Sequence, residues 1–343
     1  MRQFVIASAL LTAASSVALH AARADDAATF YAGKTITLIV AAGAGGSYDV
    51  YARALADFYG AHIPGHPTVV VKLTSGVGGG IATAIQLENT ALKDGTVIGM
   101  TQQTNLVSQL TETAAMGKYD VGKWQWIGLM APVRNMLAVW YTSPAQTLEE
   151  AKTKEVVIGA TGRASPTFSV PQAVNQLLGT KFKMVLGYQG VNDLNLAMER
   201  GEIQGRGASW SSVMLQAPQY ISEHKLKALV VDGLSREPSL PDVPLLVDLA
   251  KTDQQRQAVR LMSSAAEFGR AIFAPPGVPK ERVNVLRRAF DDTMKDQQFL
   301  TEAEKLQLPI EPATGEKLEQ ITKDVLATSP DAVAYARDLM GSQ

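Results

Sequence analysis

An α/β fold built largely on parallel strands follows from three features of the sequence. Short apolar runs alternate with segments of helical period along the chain. Three of those runs end in glycine-rich turns that open a helix. The chain has 343 residues, long enough for two domains and a large core.

The first strand–turn–helix passage spans Thr35 to Phe58. An apolar run, Thr35 to Val40, meets Ala41-Ala-Gly-Ala-Gly-Gly-Ser-Tyr-Asp49, and a helix follows with Val50, Ala54, Leu55 and Phe58 on one face. The first N–H groups of a helix lack intrahelical partners, and the helix dipole places partial positive charge there. Glycines let the backbone approach a ligand closely, so such a turn prefers an anion. The device recurs twice. Thr68 to Lys72 leads through Ser75-Gly-Val-Gly-Gly-Gly80 into a helix from Ile81 to Leu87. Val156 to Ile158 leads into Gly159-Ala-Thr-Gly-Arg-Ala-Ser165, with Pro166 suited to a first helical turn.

Residues 1–24 stand apart from the fold. Arg2 is a short basic start, Phe4 to Leu19 a mostly apolar core, and Ala22-Arg23-Ala24 a small-x-small cleavage site. This is the pattern of a secretory signal peptide, with an apolar stretch too short and too broken to span a membrane. The expected product is soluble in the periplasm. Loss of Arg2 and Arg23 leaves 30 basic residues against 33 acidic ones, a net charge of −3 that gives no footprint for nucleic acid. The chain has no cysteine, which excludes disulfides, thiolate metal sites and a cysteine nucleophile.

Further strands are expected at Thr96–Met100, around Trp124 and Trp126, and at Met136–Trp140, the last two near a domain crossing. Others are expected at Met184–Tyr188, Leu226–Val231 and Ala271–Ala274. A helix from Asn192 to Arg200 stops at Gly201, and another after Pro279 carries Val283, Leu286 and Phe290 in register. In such sheets ligands sit beyond the carboxyl ends of the strands, where all the glycine turns lie.

At these positions the chain resembles the extracytoplasmic solute receptors of tripartite tricarboxylate transporters, the Bug family. The resemblance covers essentially the whole mature chain. It rests on Gly45-Gly46-Ser47-Tyr48-Asp49 with Ala52-Arg53, Gly76-Val77-Gly78-Gly79-Gly80, Asp94-Gly95-Thr96, Gly187-Tyr188-Gln189-Gly190, Arg200-Gly201-Glu202, Asp242-Val243-Pro244 and Ala274-Pro275-Pro276-Gly277-Val278-Pro279. It implies a type II periplasmic binding protein fold: two α/β lobes joined by two crossings, with a ligand cleft between them. The expected divisions are a signal peptide (1–24), the first part of lobe one (25–132), lobe two (133–240) and a return to lobe one with C-terminal helices (241–343). The resemblance also implies a carboxylate held by backbone N–H groups and ordered water. Its lobe-one residues are Ala44, Gly45, Gly46, Ser47, Tyr48 and Asp49, with Gly76, Val77, Gly78 and Gly79. The facing lobe adds Thr161, Gly162, Arg163 and Ser165, then Tyr188 and Gly190. Gln102 suits a second carboxylate or hydroxyl groups, and Trp210 is a cleft wall or a core residue. Two departures stand out. The second loop reads Lys-Leu-Thr-Ser-Gly-Val-Gly-Gly over 72–79, where many members have Asn-x-x-Gly-Ala-Gly-Gly. Arg163 stands where small residues are common.

Other readings of the same residues are weaker. The glycine turns lack the third glycine of a dinucleotide fingerprint and any Walker-type Gly-Lys-Ser/Thr. Asp49 is more simply a support for its helix start than a base, and Arg53 a partner for an acid of its own lobe. His62 and His66 read as exposed loop residues around Pro64-Gly65, and His224 has no obvious partner. No Gly-x-Ser-x-Gly elbow supplies a serine nucleophile. The expected protein is thus a monomeric periplasmic receptor, without cofactor, metal or chemistry. It captures a small organic acid and delivers it to the membrane permease subunits of a tripartite transporter. The rival is a secreted α/β enzyme acting on a carboxylated substrate, and a third reading is a ligand-sensing partner of a membrane kinase. The export reading has a direct check. Mass spectrometry of the periplasmic fraction should find Asp25 as the first residue, and a product retaining residues 1–24 in membranes contradicts it.

Overall fold

The computed structural model describes residues 28–74, 80–112, 115–163, 165–188 and 190–341. The expected signal peptide, Gly76, Val77, Gly78 and Gly79 lie outside the described residues.

The chain begins with β1 (Thr35–Ala41), α1 (Ser47–His62), β2 (Thr68–Thr74), α2 (Ile81–Asn89), β3 (Val97–Met100), α3 (Asn105–Thr111) and β4 (Gln125–Leu129). It continues through β5 (Asn135–Trp140), α4 (Leu148–Ala151), β6 (Val156–Ala160), α5 (Pro166–Leu178), β7 (Phe182–Leu186), α6 (Val191–Glu199), β8 (Gly205–Ser209), α7 (Trp210–Gln216), α8 (Gln219–Ser222) and β9 (Leu226–Asp232). It ends with α9 (Asp253–Ser264), β10 (Ala271–Ala274), α10 (Lys280–Thr293), α11 (Gln297–Lys305), β11 (Ala313–Thr314), α12 (Gly315–Leu326) and α13 (Pro330–Met340).

The described strands form two sheets, ordered β11-β4-β10-β3-β1-β2 and β7-β6-β8-β5-β9. Each is the floor of one lobe. The sheets are mixed rather than largely parallel. The helix-linked strands pair in parallel, β1 with β2 and β3, and β6 with β7 and β8. The strands flanking the passages between lobes pair antiparallel: β10 with β3 and β4, and β5 with β8 and β9. A parallel neighbour needs a long crossover, usually a helix, whereas a strand entering from the other lobe is free to run either way.

A strand precedes and a helix follows each of the three glycine segments, residues 75–79 of the second lying outside the described residues. Several boundaries move by a residue or two, β6 and β7 among them. β7 covers Phe182–Leu186 instead of Met184–Tyr188, and β6 extends to Ala160. The α1 stripe also differs. Tyr51, Ala52, Ala54, Leu55 and Tyr59 are buried, with Val50 and Phe58 at the margin of the core. Both tyrosines satisfy their hydroxyls on distant carbonyls, Tyr51 on Pro309 and Tyr59 on Leu286, each at 2.8 Å. A satisfied hydroxyl lets a large ring be buried. His62 is not an exposed loop residue. It closes α1 and meets Asp296 at 2.8 Å, and Asp296 is held below the usual carboxylate range by N–H donation from Gln298 and by His62.

The lobes share apolar packing. One cluster runs from Trp124, Trp126 and Phe273 of the first lobe through Leu137, Val139, Ile158 and Val174 of the second. Trp124 and Phe273 stack with centroids 4.0 Å apart. Helix α13 straddles both lobes, since Arg337 Nε donates to the Leu110 carbonyl at 3.2 Å while Gln176 Nε2 donates to the Asp338 carbonyl at 2.7 Å. At the first crossing, Arg134 is 9% exposed and grips Glu311 with both terminal nitrogens, at 3.1 and 2.9 Å. It also bonds Ser235 beyond β9. Such bidentate pairs fix geometry as well as charge.

Candidate functional site

The turn from β1 to α1 sits at the carboxyl end of a central strand. Gly45 takes a φ of +74°, the left-handed region in which glycine carries no side-chain penalty. Gly46 caps α1 at φ −72° with no side-chain bond to the helix start. The last N–H of the opening turn, Val50, reaches the Gly46 carbonyl at 3.1 Å. Among the described residues, none accepts from the N–H groups of Ser47 and Tyr48, as expected for the orphan donors of a first turn.

Asp49 is engaged within its own turn and helix. Its carboxylate is 4% exposed and accepts from Gly45 N at 2.8 Å and Arg53 Nε at 2.7 Å. It therefore folds the turn back onto the helix, and the Gly45 N–H is engaged inside the loop. Ala44 is exposed beside it. Tyr48 is half-buried, and its hydroxyl accepts from Gln103 N at 3.2 Å. Burial raises the Tyr48 pKa against the opposing charge of Arg270, so the phenol stays protonated. Gln102 is turned inward, its amide donating to the Ala41 carbonyl at 2.6 Å. There it backs Gly80, whose φ of +72° opens α2 and where an added Cβ would lie 2.9 Å from Ala41 Cβ.

The facing lobe offers a second helix start. Ser165 caps α5, its hydroxyl accepting from Thr167 N at 3.2 Å. Thr161 N donates to Thr167 Oγ1 at 3.0 Å. Both residues thus serve the cap, leaving Gly162 and Arg163 as the outward part of that loop. Arg163 is exposed and lies over the Phe168 ring at 5.2 Å. Tyr188 packs against the second-lobe core, and Gly190 caps α6 in extended conformation without a side-chain bond.

Two spaces bring the lobes face to face. A cavity of about 380 Å³ joins Tyr51, Pro309 and Glu311 of the first lobe to Trp210, Met214 and Pro218 of the second. Trp210 is 7% exposed, packs in the second-lobe core and also lines this cavity. A smaller space joins Gln103 and Thr104 to Arg163, Pro166 and Ser169.

The sequence reading missed Arg270. It is 1% exposed, its Nη2 donates to Ser47 Oγ at 2.8 Å, and its guanidinium lies 4.0 Å over Tyr48 and 5.1 Å over Tyr51. It is the lone charge in the run Phe268-Gly-Arg-Ala-Ile-Phe-Ala274, and that isolation at the edge of an apolar strand was the available signal.

Residues 52–331 match the sequence model of the tripartite tricarboxylate transporter family receptor. The chain belongs to that family. It is accordingly a binding receptor and not an enzyme. A UPF0065 protein of Bordetella bronchiseptica is 25% identical over 300 residues, covering 85% of this chain and 82% of its own length. A TctC solute-binding protein from Polaromonas superposes with a TM-score of 0.65 at 24% identity, covering 91% of this chain and 99% of that one. MatC of Rhodopseudomonas palustris, solved with bound malate, gives 0.61 at 19% identity, covering 88% and 99%. The receptor fold, two lobes on two sheets, is common to these structures. No helix of the described residues is long and apolar enough to cross a membrane.

The receptor's β1–α1 turn carries a clear stability test. Asp49→Ala removes buried hydrogen bonds to a charged acceptor and should cost about 1.5–3 kcal/mol. Arg53 is 58% exposed, so Arg53→Ala should cost under about 1 kcal/mol. Urea denaturation of the two variants decides the matter, and equal losses would show that the ion pair, not the turn, is what Asp49 supports.

Proposed function

We propose that this receptor works in the periplasm, captures a small carboxylate between its lobes and delivers it to the permease of a tripartite transporter. The observation that carries the reading is the first turn of α1, where the Ser47 and Tyr48 N–H groups meet the positive end of a helix with Arg270 behind them. An anion is the ligand this arrangement favours. Gly162 and Arg163 supply the second lobe's side of the cleft. Contacts from both lobes are what allow a ligand to shift an open–closed equilibrium. Malate in a structure of the same fold supports a small organic acid as the cargo class.

A thermal-shift screen tests the reading with succinate, malate, citrate and benzoate, each beside its neutral amide. A cognate acid at about a hundred times its dissociation constant adds roughly 2.7 kcal/mol. We expect a rise in melting temperature for one acid class and none for the amides. Stabilisation by amides and not by acids overturns the proposal.

A further inference from the structure

We propose that Arg270 sets the polarity of the β1–α1 site: it fixes the Ser47 hydroxyl as a hydrogen-bond donor and supplies positive charge that no acid of the described chain cancels. An ionised carboxylate is then held and its neutral amide is not. This rests on the carboxylate-receptor reading above and names the residue that enforces it.

Arg270 is fixed from both sides. Its backbone N–H donates to the Ala131 carbonyl at 2.9 Å, and its own carbonyl accepts from Met130 at 3.1 Å. Nη1 donates to the Gly269 carbonyl at 3.1 Å, while Nε is buried without a partner. The nearby acids are engaged elsewhere. Asp49 is bonded to Arg53 and the Gly45 N–H, and Glu311 to Arg134. One acid, Asp49, therefore stands against two cations, Arg53 and Arg270. A cation at a helix N-terminus adds to the positive end of the dipole, and burying it unpaired costs free energy. An anion at the first turn relieves both.

The hydrogen-bond directions point the same way. A guanidinium is donor-only, so Ser47 Oγ must accept from Nη2, and its own proton is left to donate outward. Tyr48 Oη likewise accepts from Gln103 N, leaving its proton free. With the Ser47 and Tyr48 backbone N–H groups, the Ser47 hydroxyl proton gives the first turn three donors. A carboxylate accepts all of them, whereas an amide brings N–H groups against them.

The test is titration calorimetry with the best-binding acid of the succinate, malate, citrate and benzoate panel and with its amide, on folded variants confirmed by circular dichroism. Arg270→Met should weaken the acid about tenfold or more and narrow the acid-to-amide preference by a similar factor. Arg270→Lys, which keeps the charge, should retain that preference. Ser47→Ala, which leaves the guanidinium in place, should also weaken the acid. Wild-type affinity for the acid in Arg270→Met, or equal losses for acid and amide, overturns the proposal while leaving the receptor reading intact. A wild-type protein that prefers amides overturns both.

Discussion

The first turn of α1 sets the constraint on which the site depends. Its N–H groups face outward at the positive end of a helix of 16 residues, and the turn that carries them must be rigid. Asp49 meets the second need by bonding Gly45 N and Arg53, and in doing so it is removed as a counter-charge. Arg270 then adds a second cation on the protein side of the turn. Each local choice that stiffens the loop leaves the field at its outer surface more positive. Fixed donors that need not reorganise when ligand arrives are worth more than mobile ones.

The same rigidity has to coexist with motion between lobes. The shared core through Trp124, Phe273 and Val139, and the α13 helix across α3 and α5, hold the lobes together on one side. The Arg134–Glu311 pair holds the first crossing on the side of the larger cavity. Burial alone would lower the Arg134 pKa, but Glu311 more than offsets it, so this guanidinium stays charged and the latch persists.

Much of the fold was legible because hydrophobic period and glycine turns act locally. The Thr35–Val40 run, the Gly45-Gly46 turn and the Pro166 helix start each specify their own conformation through steric rules. β8 was not legible. Gly205-Arg206-Gly207 carries no apolar run, yet it lies in a central strand in which the glycines admit neighbouring backbone and Arg206 is fully buried, its pKa lowered by burial to about 10. The antiparallel entry strands were also hidden, since strand direction is a tertiary fact. At the site, the backbone loops were visible in sequence, whereas Arg270 lies 223 residues from Ser47 and is joined to it only by folding. Thr161, Ser165 and Gln102 look like ligand donors in a linear reading. In three dimensions their polar groups brace the loops around them, at the α5 cap and the end of β1.

The most direct measurement is a crystal structure with the acid returned by the screen. We expect one carboxylate within hydrogen-bond distance of Ser47 N, Tyr48 N and Ser47 Oγ, with second-lobe atoms closing over it. A ligand seated instead in the cavity between Tyr51, Met214 and Glu237, with the first turn of α1 untouched, would contradict the central claim.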